Sequence, residues 1–295
     1  MTAPMLSDAL GPRARRRMRL ISLVAAAAIA GLVLAALRRL ADTGQLDAAR
    51  WEPLTQGTVI RFLLGGLVAT LRVASLAMVL AMAIGMVLAL GRLARNPVVR
   101  LVTGAYVEFF RGFPLLLLVL FSGLALPKYG VDVAVFWYVV LALVVYNSAI
   151  LGEIFRAGIL SLDKGQTEAA HALGFSYWQA MLIVVVPQAA RRMVPAIVSQ
   201  LVTLLKDTSL GFVIAYPELL RRARNTGEFF QNPLQSLFVA ALLYIAANLA
   251  LSRVARRLEI RQRRRYGAGA ITVAGAEDLT VTAVQSEEAA PEGPG

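Results

Sequence analysis

The sequence predicts an all-α polytopic membrane protein with about six transmembrane helices. Apolar residues make up 58% of the 295 residues, only 16% are charged, and the mean hydropathy is +0.66. Several apolar segments reach the roughly 20 residues that a helix needs to cross a hydrocarbon core about 30 Å thick. Because lipid offers no hydrogen bonds, a crossing segment must satisfy its own backbone groups, which a helix does.

The formal net charge is +12, and arginines flank the apolar segments. A nucleic-acid-binding protein could be equally basic, but it would place basic and aromatic side chains along one soluble face. The pattern therefore favours orientation in a membrane, and we expect no nucleic-acid partner. The chain has no cysteine, which excludes disulfides, thiolate metal ligands and a thiol nucleophile. We predict neither a metal site nor a catalytic residue.

Residues 1–19 form a basic N-terminus, and residues 20–58 are predicted to hold one extra transmembrane helix and an external loop. The apolar segment Leu20–Leu37 could also be the core of a cleaved signal peptide. It has about 18 residues, however, against roughly 7–15 in signal peptides, and Arg38 and Arg39 follow it directly. We therefore expect a retained span that begins in the cytoplasm, as the positive-inside rule indicates.

Residues 59–257 are predicted to form the main transmembrane domain, and residues 258–295 a disordered cytoplasmic tail. Gly65 and Gly66 indicate an interfacial helix that leads into a span at Leu67–Leu90. Segment 206–232 is too short and polar for two crossings, so we predict a broken or re-entrant element there, interrupted at Gly211 and Pro217. An even number of spans places both termini in the cytoplasm. The other predicted spans are Val98–Leu124, Val133–Leu160, Leu182–Leu205 and Leu234–Leu251.

The polar segment 161–180 lies between two predicted spans and contains a short predicted helix. Thr167 is the expected N-cap, Glu168 favours the positive end of the helix dipole, and Gly174 can end the helix in a left-handed conformation. From these residues alone, the segment could be an ordinary capped helix in a loop at the membrane surface.

The residues EAA at Glu168–Ala170, followed by Gly174, resemble the cytoplasmic coupling motif of ABC-transporter permease subunits. Similarity to the polar amino-acid permease family covers about residues 66–257. The short segments TGQLDAARW and PAIVSQLV are similar to actinobacterial glutamate permease subunits. The longer matching segments are YVEFFRGFPLLLL from Tyr106, GEIFRAGILSLDKGQTEAAHALGFS from Gly152, PQAARRMVPA from Pro187 and LLKDTSL from Leu204.

The resemblance implies a five-helix ABC importer permease core plus one N-terminal helix, in the bacterial plasma membrane. It also implies a second permease, homologous or identical, two ATPase subunits, and an extracytoplasmic binding protein that delivers glutamate or another polar amino acid. The sequence has no GxxxxGK[ST] phosphate loop, so ATP would be bound by the partner subunits and this chain would hold no cofactor. The implied ATPase-coupling residues are Glu168, Ala169, Ala170 and Gly174.

Glu108 lies about ten residues into its predicted span, which places it about 15 Å deep, near the membrane centre. An ionisable side chain at that depth is a candidate for a functional site. Arg111 lies three residues further on and could form an ion pair with Glu108, either as a structural pair or as part of a substrate site. Gly112 and Pro114 follow, where a loosened helix could expose backbone groups to a substrate.

Lys206, Asp207 and Ser209 cluster at the far end of the fifth predicted span. They could bind the amino and carboxylate groups that all amino acids share, or they could belong to an ordinary interfacial loop. A second function also fits the sequence, namely an ion-coupled secondary amino-acid transporter or channel with Glu108 and Asp207 as coupling carboxylates. The single histidine, His171, has no predicted catalytic partner, so we expect no enzymatic activity in this chain.

Overall fold

The computed structural model describes residues 12–254 and residue 257, and within these residues the secondary structure is helical. The predictions for residues 1–11 and for the tail at 258–295 lie outside the described residues. Five helices are long and apolar enough to cross a membrane, and a bent pair of helices makes a sixth possible span. The predicted all-α polytopic fold is thereby confirmed. The five spans are Arg16–Asp42, Gly57–Arg92, Val135–Leu160, Tyr177–Ile214 and Pro233–Val254.

The first helix, α1 (Pro12–Asp42), starts earlier and ends later than the predicted span because arginine is a good helix former and extends it at both ends. No residue of its most apolar window is buried. The segment that follows it is nevertheless fixed to the last helix. There, the Gln235 side-chain nitrogen donates to the Gln45 carbonyl oxygen at 2.6 Å, and the rings of Trp51 and Phe238 meet edge to face.

A short helix, α2 (Ala48–Trp51), and a 3-10 turn lead into α3 (Gly57–Arg92), which is continuous for 36 residues. The predicted interfacial helix ending at Gly65 and Gly66 is therefore wrong. These glycines instead allow another helix to approach closely, because a Cβ atom at Gly66 would lie 2.9 Å from the Leu219 Cα atom. Gly66 therefore permits close packing of a second helix and does not interrupt α3.

The predicted span Val98–Leu124 is divided into α4 (Pro97–Gly112) and α5 (Leu115–Leu120) with its following turns, and the axes differ by 99°. Phe113 adopts an extended conformation and Pro114 cannot donate a backbone hydrogen bond, so the helix ends at Gly112. The expected loosening at Gly112 and Pro114 is confirmed. The chain then returns through α6 (Val135–Leu160).

The buried core surrounds α6, which packs against α3, α4 and a later helix that covers Val186–Asp207. Leu143, Leu151 and Phe155 of α6 are among its largest fully buried side chains. Gly85 of α3 permits a close contact, since a Cβ atom there would lie 3.1 Å from the Gly152 backbone nitrogen. Small residues at a helix crossing bring the backbones together, which is the usual basis of helix packing in membranes.

The polar segment folds into α7 (Lys164–Ala172), and the next span comprises α8 (Tyr177–Gln179), a π-helical turn and α9 (Val186–Asp207). Segment 206–232 is broken, as predicted. The helical backbone stops at Ala215, which has φ +62°, and Pro217 lies within the break as expected, whereas Gly211 lies inside a 3-10 turn. The segment then forms a short polar helix, α10 (Leu219–Phe229), that packs on α3, and α11 (Pro233–Val254) follows. We call the two ends of the bundle the α7 end and the α10 end.

Candidate functional site

The helix α7 begins and ends through local hydrogen bonds that the sequence encodes. The Asp163 side chain accepts from the Gly165 backbone nitrogen at 2.8 Å and is the N-cap. The prediction of Thr167 as N-cap is therefore wrong, because Asp163 offers the same cap four residues earlier. Gly174 has φ +84°, and the Phe175 nitrogen donates to the Ala170 carbonyl oxygen at 3.1 Å. This is the predicted left-handed end at Gly174.

The four predicted coupling residues do not share one face of α7. Glu168, Ala169 and Gly174 are exposed, whereas Ala170 is only 3% exposed and packs inward. Leu173, which the sequence offered no reason to select, is 79% exposed.

One side-chain hydrogen bond joins α7 directly to α9, since Gln188 donates to Gln166 at 3.0 Å. A second bond holds the chain just before α7, where the Arg192 guanidinium of α9 donates to the carbonyl oxygen of Ser161, the C-cap residue of α6, at 2.7 Å. The helix also packs against the π-helical turn Ala180–Val185. A displacement of α7 would therefore be passed to the start of the long span that contains α9.

Glu108 and Arg111 are both exposed, and no ion pair joins them among the described residues. Arg111 instead lies 3.7 Å from a carboxylate oxygen of Glu153 on α6. The expected pair is absent because helix α4 presents Arg111 to a carboxylate that already attracts other guanidinium groups. Glu108 remains without a charged partner in the described part of the chain.

Glu153 gathers three arginines from three helices, which we call the Glu153 cluster. Arg156, one turn further along α6, donates to it at 2.6 Å, and Arg92 at the end of α3 also donates to it. The third arginine is Arg111 of α4. The spacing of Glu153 and Arg156 was visible in the sequence, but the approach of Arg92, 61 residues away, was not.

A cavity of about 630 Å³ opens beside α4, and we call it the α4 cavity. Its walls include Arg92 and Arg156 of the Glu153 cluster, together with Arg100 and Glu108. Three guanidinium groups and one carboxylate therefore border the same space. Arg100 forms no ion pair among the described residues, so its charge is available to a ligand.

Lys206, Asp207 and Ser209 lie where α9 ends, at the α10 end of the bundle. None of them lines the α4 cavity, which begins at the opposite end, beside Arg92 and Pro97. The structure therefore separates the two groups of predicted substrate-binding residues. Among the described residues, no group of three or more histidine, aspartate or glutamate side chains could hold a metal ion.

A buried carboxylate that sequence analysis missed fixes α10. Glu218 is fully buried, accepts from the backbone nitrogens of Leu220 and Arg221, and receives the Tyr244 hydroxyl hydrogen bond at 2.5 Å. Burial raises the pKa of Glu218, and the three hydrogen bonds oppose that rise. The dipeptide Pro217-Glu218 before a helix was a signal for an N-cap in the sequence. The burial of Glu218 was not visible there, because it depends on the packing of α11.

Comparison with known sequences identifies the family. The family described as binding-protein-dependent transport system inner membrane component matches residues 81–264. The probable glutamine ABC transporter permease protein of Bacillus subtilis is 43% identical over 209 residues, covering 69% of this chain and 94% of the relative. The glutamate transport system permease protein of Corynebacterium glutamicum is 39% identical over 224 residues, covering 75% and 82%.

Solved structures agree with the sequence comparison. The crystal structure of an amino acid ABC transporter with histidines has a TM-score of 0.66 and 30% identity, covering 70% of this chain and 97% of that one. An inward-facing methionine ABC transporter has a TM-score of 0.62 at 17% identity, covering 70% and 99%, which shows a common fold. The chain therefore belongs to the family of binding-protein-dependent transport system inner membrane components, the membrane-spanning permease subunits of ABC transporters.

Proposed function

We propose that this chain is the permease subunit of an ATP-driven importer for acidic amino acids, with glutamate as the leading substrate. A second permease, homologous or identical, completes the pathway, and an extracytoplasmic binding protein delivers the substrate. Two ATPase subunits bind the nucleotide, since this chain has no phosphate-binding loop. The relatives named as glutamine and glutamate permeases support an amino-acid substrate.

The observation that carries the substrate class is the charge of the α4 cavity. Arg92, Arg100, Arg156 and Glu108 line a volume of about 630 Å³, within the roughly 300–1,000 Å³ of small-molecule sites. Arg92 and Arg156 share the Glu153 carboxylate, whereas Arg100 forms no ion pair among the described residues, so positive charge is in excess. An acidic amino acid carries two carboxylates and one ammonium group. Guanidinium groups bind carboxylates through paired hydrogen bonds, and Glu108 offers the matching contact for the ammonium group.

The shape of α7 supports coupling to an ATPase. Glu168, Ala169 and Leu173 are exposed at its surface, while Ala170 packs inward and Gly174 closes the helix. The hydrogen bond from Gln188 of α9 to Gln166 holds the helix to the span that it would move, and the bond from Arg192 to Ser161 fixes the chain just before the helix. In this proposal α7 lies in the cytoplasm, both chain termini lie on the same side, and the protein crosses the bacterial plasma membrane several times.

Transport by the reconstituted complex tests this proposal. The chain, purified with its co-purifying ATPase and permease, is placed in vesicles with ATP inside and the binding protein outside. We expect ATP-dependent uptake of radiolabelled glutamate, inhibited by aspartate and unaffected by arginine. Uptake that continues without ATP and stops when the ion gradient is removed would instead favour the ion-coupled carrier.

Variants of the same complex test the α4 cavity. Glu108→Gln removes a charged contact, so we expect the KM for glutamate to rise about tenfold or more. Asp132→Asn changes an exposed carboxylate outside the cavity and is the matched control. An unchanged KM in Glu108→Gln would show that the α4 cavity does not contact the substrate.

A further inference from the structure

A second cavity lies at the α7 end, between the end of α3, the start of α4 and α8, and we call it the interfacial cavity. Its volume is about 710 Å³, and it shares no lining residue with the α4 cavity. We propose that it binds an anionic phospholipid from the surrounding bilayer, holding the phosphate at its polar end and the first acyl segments along its apolar wall.

The lining changes from apolar to polar along the axis of α3. Val87 and Leu90 form the deeper part, and Val87 is 68% exposed. The helix ends about 7.5 Å beyond Val87 along the axis, at 1.5 Å per residue, and Arg95 of the lining follows in the loop. Because hydrocarbon lies deep and headgroups lie at the surface, this order matches that of a lipid molecule.

Arg95 supplies a positive charge at the polar end. Its guanidinium carbon lies 5.0 Å from the centre of the Tyr177 ring, and it forms no ion pair among the described residues. A guanidinium group stacked on an aromatic face keeps its edge N–H groups free, and these bind phosphate through paired hydrogen bonds. Asn96 and Ser176 add polar atoms to the same part of the lining.

An aromatic side chain marks the level of the membrane surface. Trp178 lines the cavity, is 46% exposed, and its indole nitrogen donates no hydrogen bond within the described residues. Tryptophan concentrates at the boundary between headgroups and hydrocarbon, where one edge of the ring is apolar and the other is hydrated. Basic pockets at this level attract anionic headgroups, whereas a soluble anion would gain nothing from the exposed Val87 wall.

Part of the lining of the interfacial cavity follows directly after α7 in the sequence. The left-handed Gly174 closes α7, and Ser176 and Tyr177 of the cavity lining follow within three residues. The Tyr177 hydroxyl donates to the Leu93 carbonyl oxygen at 2.9 Å, which fixes α8 to the loop after α3. A lipid bound here would therefore stabilise the C-terminal end of α7, whatever substrate the transporter carries.

Fluorescence quenching at Trp178 tests the proposal. The chain has three tryptophans, so the full-length variant Trp51→Phe plus Trp137→Phe leaves Trp178 as the only one. It is reconstituted in phosphatidylcholine vesicles with brominated phosphatidylglycerol or, at the same mole fraction, brominated phosphatidylcholine. Brominated chains quench on contact, so free phosphate gives no signal. We expect the anionic lipid to be enriched about fivefold at Trp178, the effect of one nearby arginine.

Three further variants in this background assign the preference to Arg95. Arg95→Gln should make the two brominated lipids quench equally, and Arg95→Lys should keep most of the preference because it keeps the charge. Arg253→Gln, an exposed arginine near the end of α11 and outside the cavity, should leave the preference intact. Equal quenching by both lipids in the parent, or the same loss in Arg253→Gln, would overturn the proposal.

Discussion

Glu153 holds three helices together through a single carboxylate. It is 25% exposed, accepts hydrogen bonds from Arg156 and Arg92, and has Arg111 at 3.7 Å. Three positive charges surround one negative charge, so the carboxylate stabilises a group of arginines that would otherwise repel one another. Within a membrane, where charges are poorly solvated, this compensation is stronger than at a water-exposed surface.

Replacing Glu153 with glutamine should therefore destabilise the protein. The change leaves three guanidinium groups without their counter-charge, and we expect a loss of about 1–3 kcal/mol in the free energy of unfolding, since the site is only partly buried. Thermal unfolding of the purified chain in detergent measures it. The control is Glu228→Gln, which breaks an exposed pair with Arg224 and should change stability by less than about 0.5 kcal/mol. Equal losses in both variants would contradict the role of the Glu153 cluster.

The end of helix α7 depends on the backbone conformation of one residue. Gly174 has φ +84°, and a Cβ atom there would meet no other atom within 4 Å. Substitution therefore acts through backbone conformation alone, without a steric clash. Substitutions at position 174 can therefore test whether the helix end needs a left-handed backbone, because the space around the position does not require a small residue.

Two substitutions at Gly174 should behave differently. Valine disfavours the left-handed conformation by about 1–2 kcal/mol, whereas asparagine adopts it more readily. We expect Gly174→Val to speed hydrogen exchange at the Phe175 amide, which donates to Ala170, and to weaken co-purification of the ATPase. Gly174→Asn should retain both properties. If the two variants behave alike, the left-handed end of α7 is not what the coupling requires.

The close packing of α10 on α3 depends on Gly66. A Cβ atom at Gly66 would lie 2.9 Å from the backbone of Leu219, which side-chain rotation cannot relieve. We expect Gly66→Ala to lower stability by about 1–3 kcal/mol, measured by thermal unfolding. Gly31→Ala in α1 is the matched control, because a Cβ atom there has open space. A stable Gly66→Ala variant would mean that α10 can move away from α3 without loss.

The described chain consists of a packed bundle and one helix outside it. The bundle is built around α6, whereas the apolar window of α1 has no buried residue. Contacts begin only after α1, where Gln45 and Arg50 meet α11 and the residue before it. The bundle should therefore fold without α1 but not without the segment that follows it.

Two deletions test this division. Removal of residues 1–41 should change the free energy of unfolding of the bundle by less than about 0.5 kcal/mol, because α1 buries nothing. Removal of residues 1–56 also deletes the contacts of Gln45, Arg50 and Trp51, so we expect a clear loss of stability. Both are measured by thermal unfolding in the same detergent. A large loss from the shorter deletion would show that α1 packs on the bundle.

The sequence predicted those features that depend on local composition. Apolar length identified most of the spans, Gly112 and Pro114 indicated where a helix loosens although not that it bends by 99°, and Gly174 identified the end of α7. Features that depend on two distant helices were missed. Arg92 meets Glu153 and Leu219 meets Gly66 only because α3 crosses α6 and α10, and hydropathy carries no information about which faces cross. Asp163 and Thr167 are both suitable N-caps by residue type, and only the backbone conformation shows that Asp163 is the one used.

The contact between Gln45 and α11 attaches the C-terminal end of α1 to the bundle and leaves the rest of the helix able to tilt. The helix has 31 residues and is about 46 Å long at 1.5 Å per residue. A change in tilt of about 10°, well within the range that transmembrane helices adopt, moves its far end by about 8 Å. A small rotation at the α10 end therefore becomes a large displacement at the opposite membrane surface.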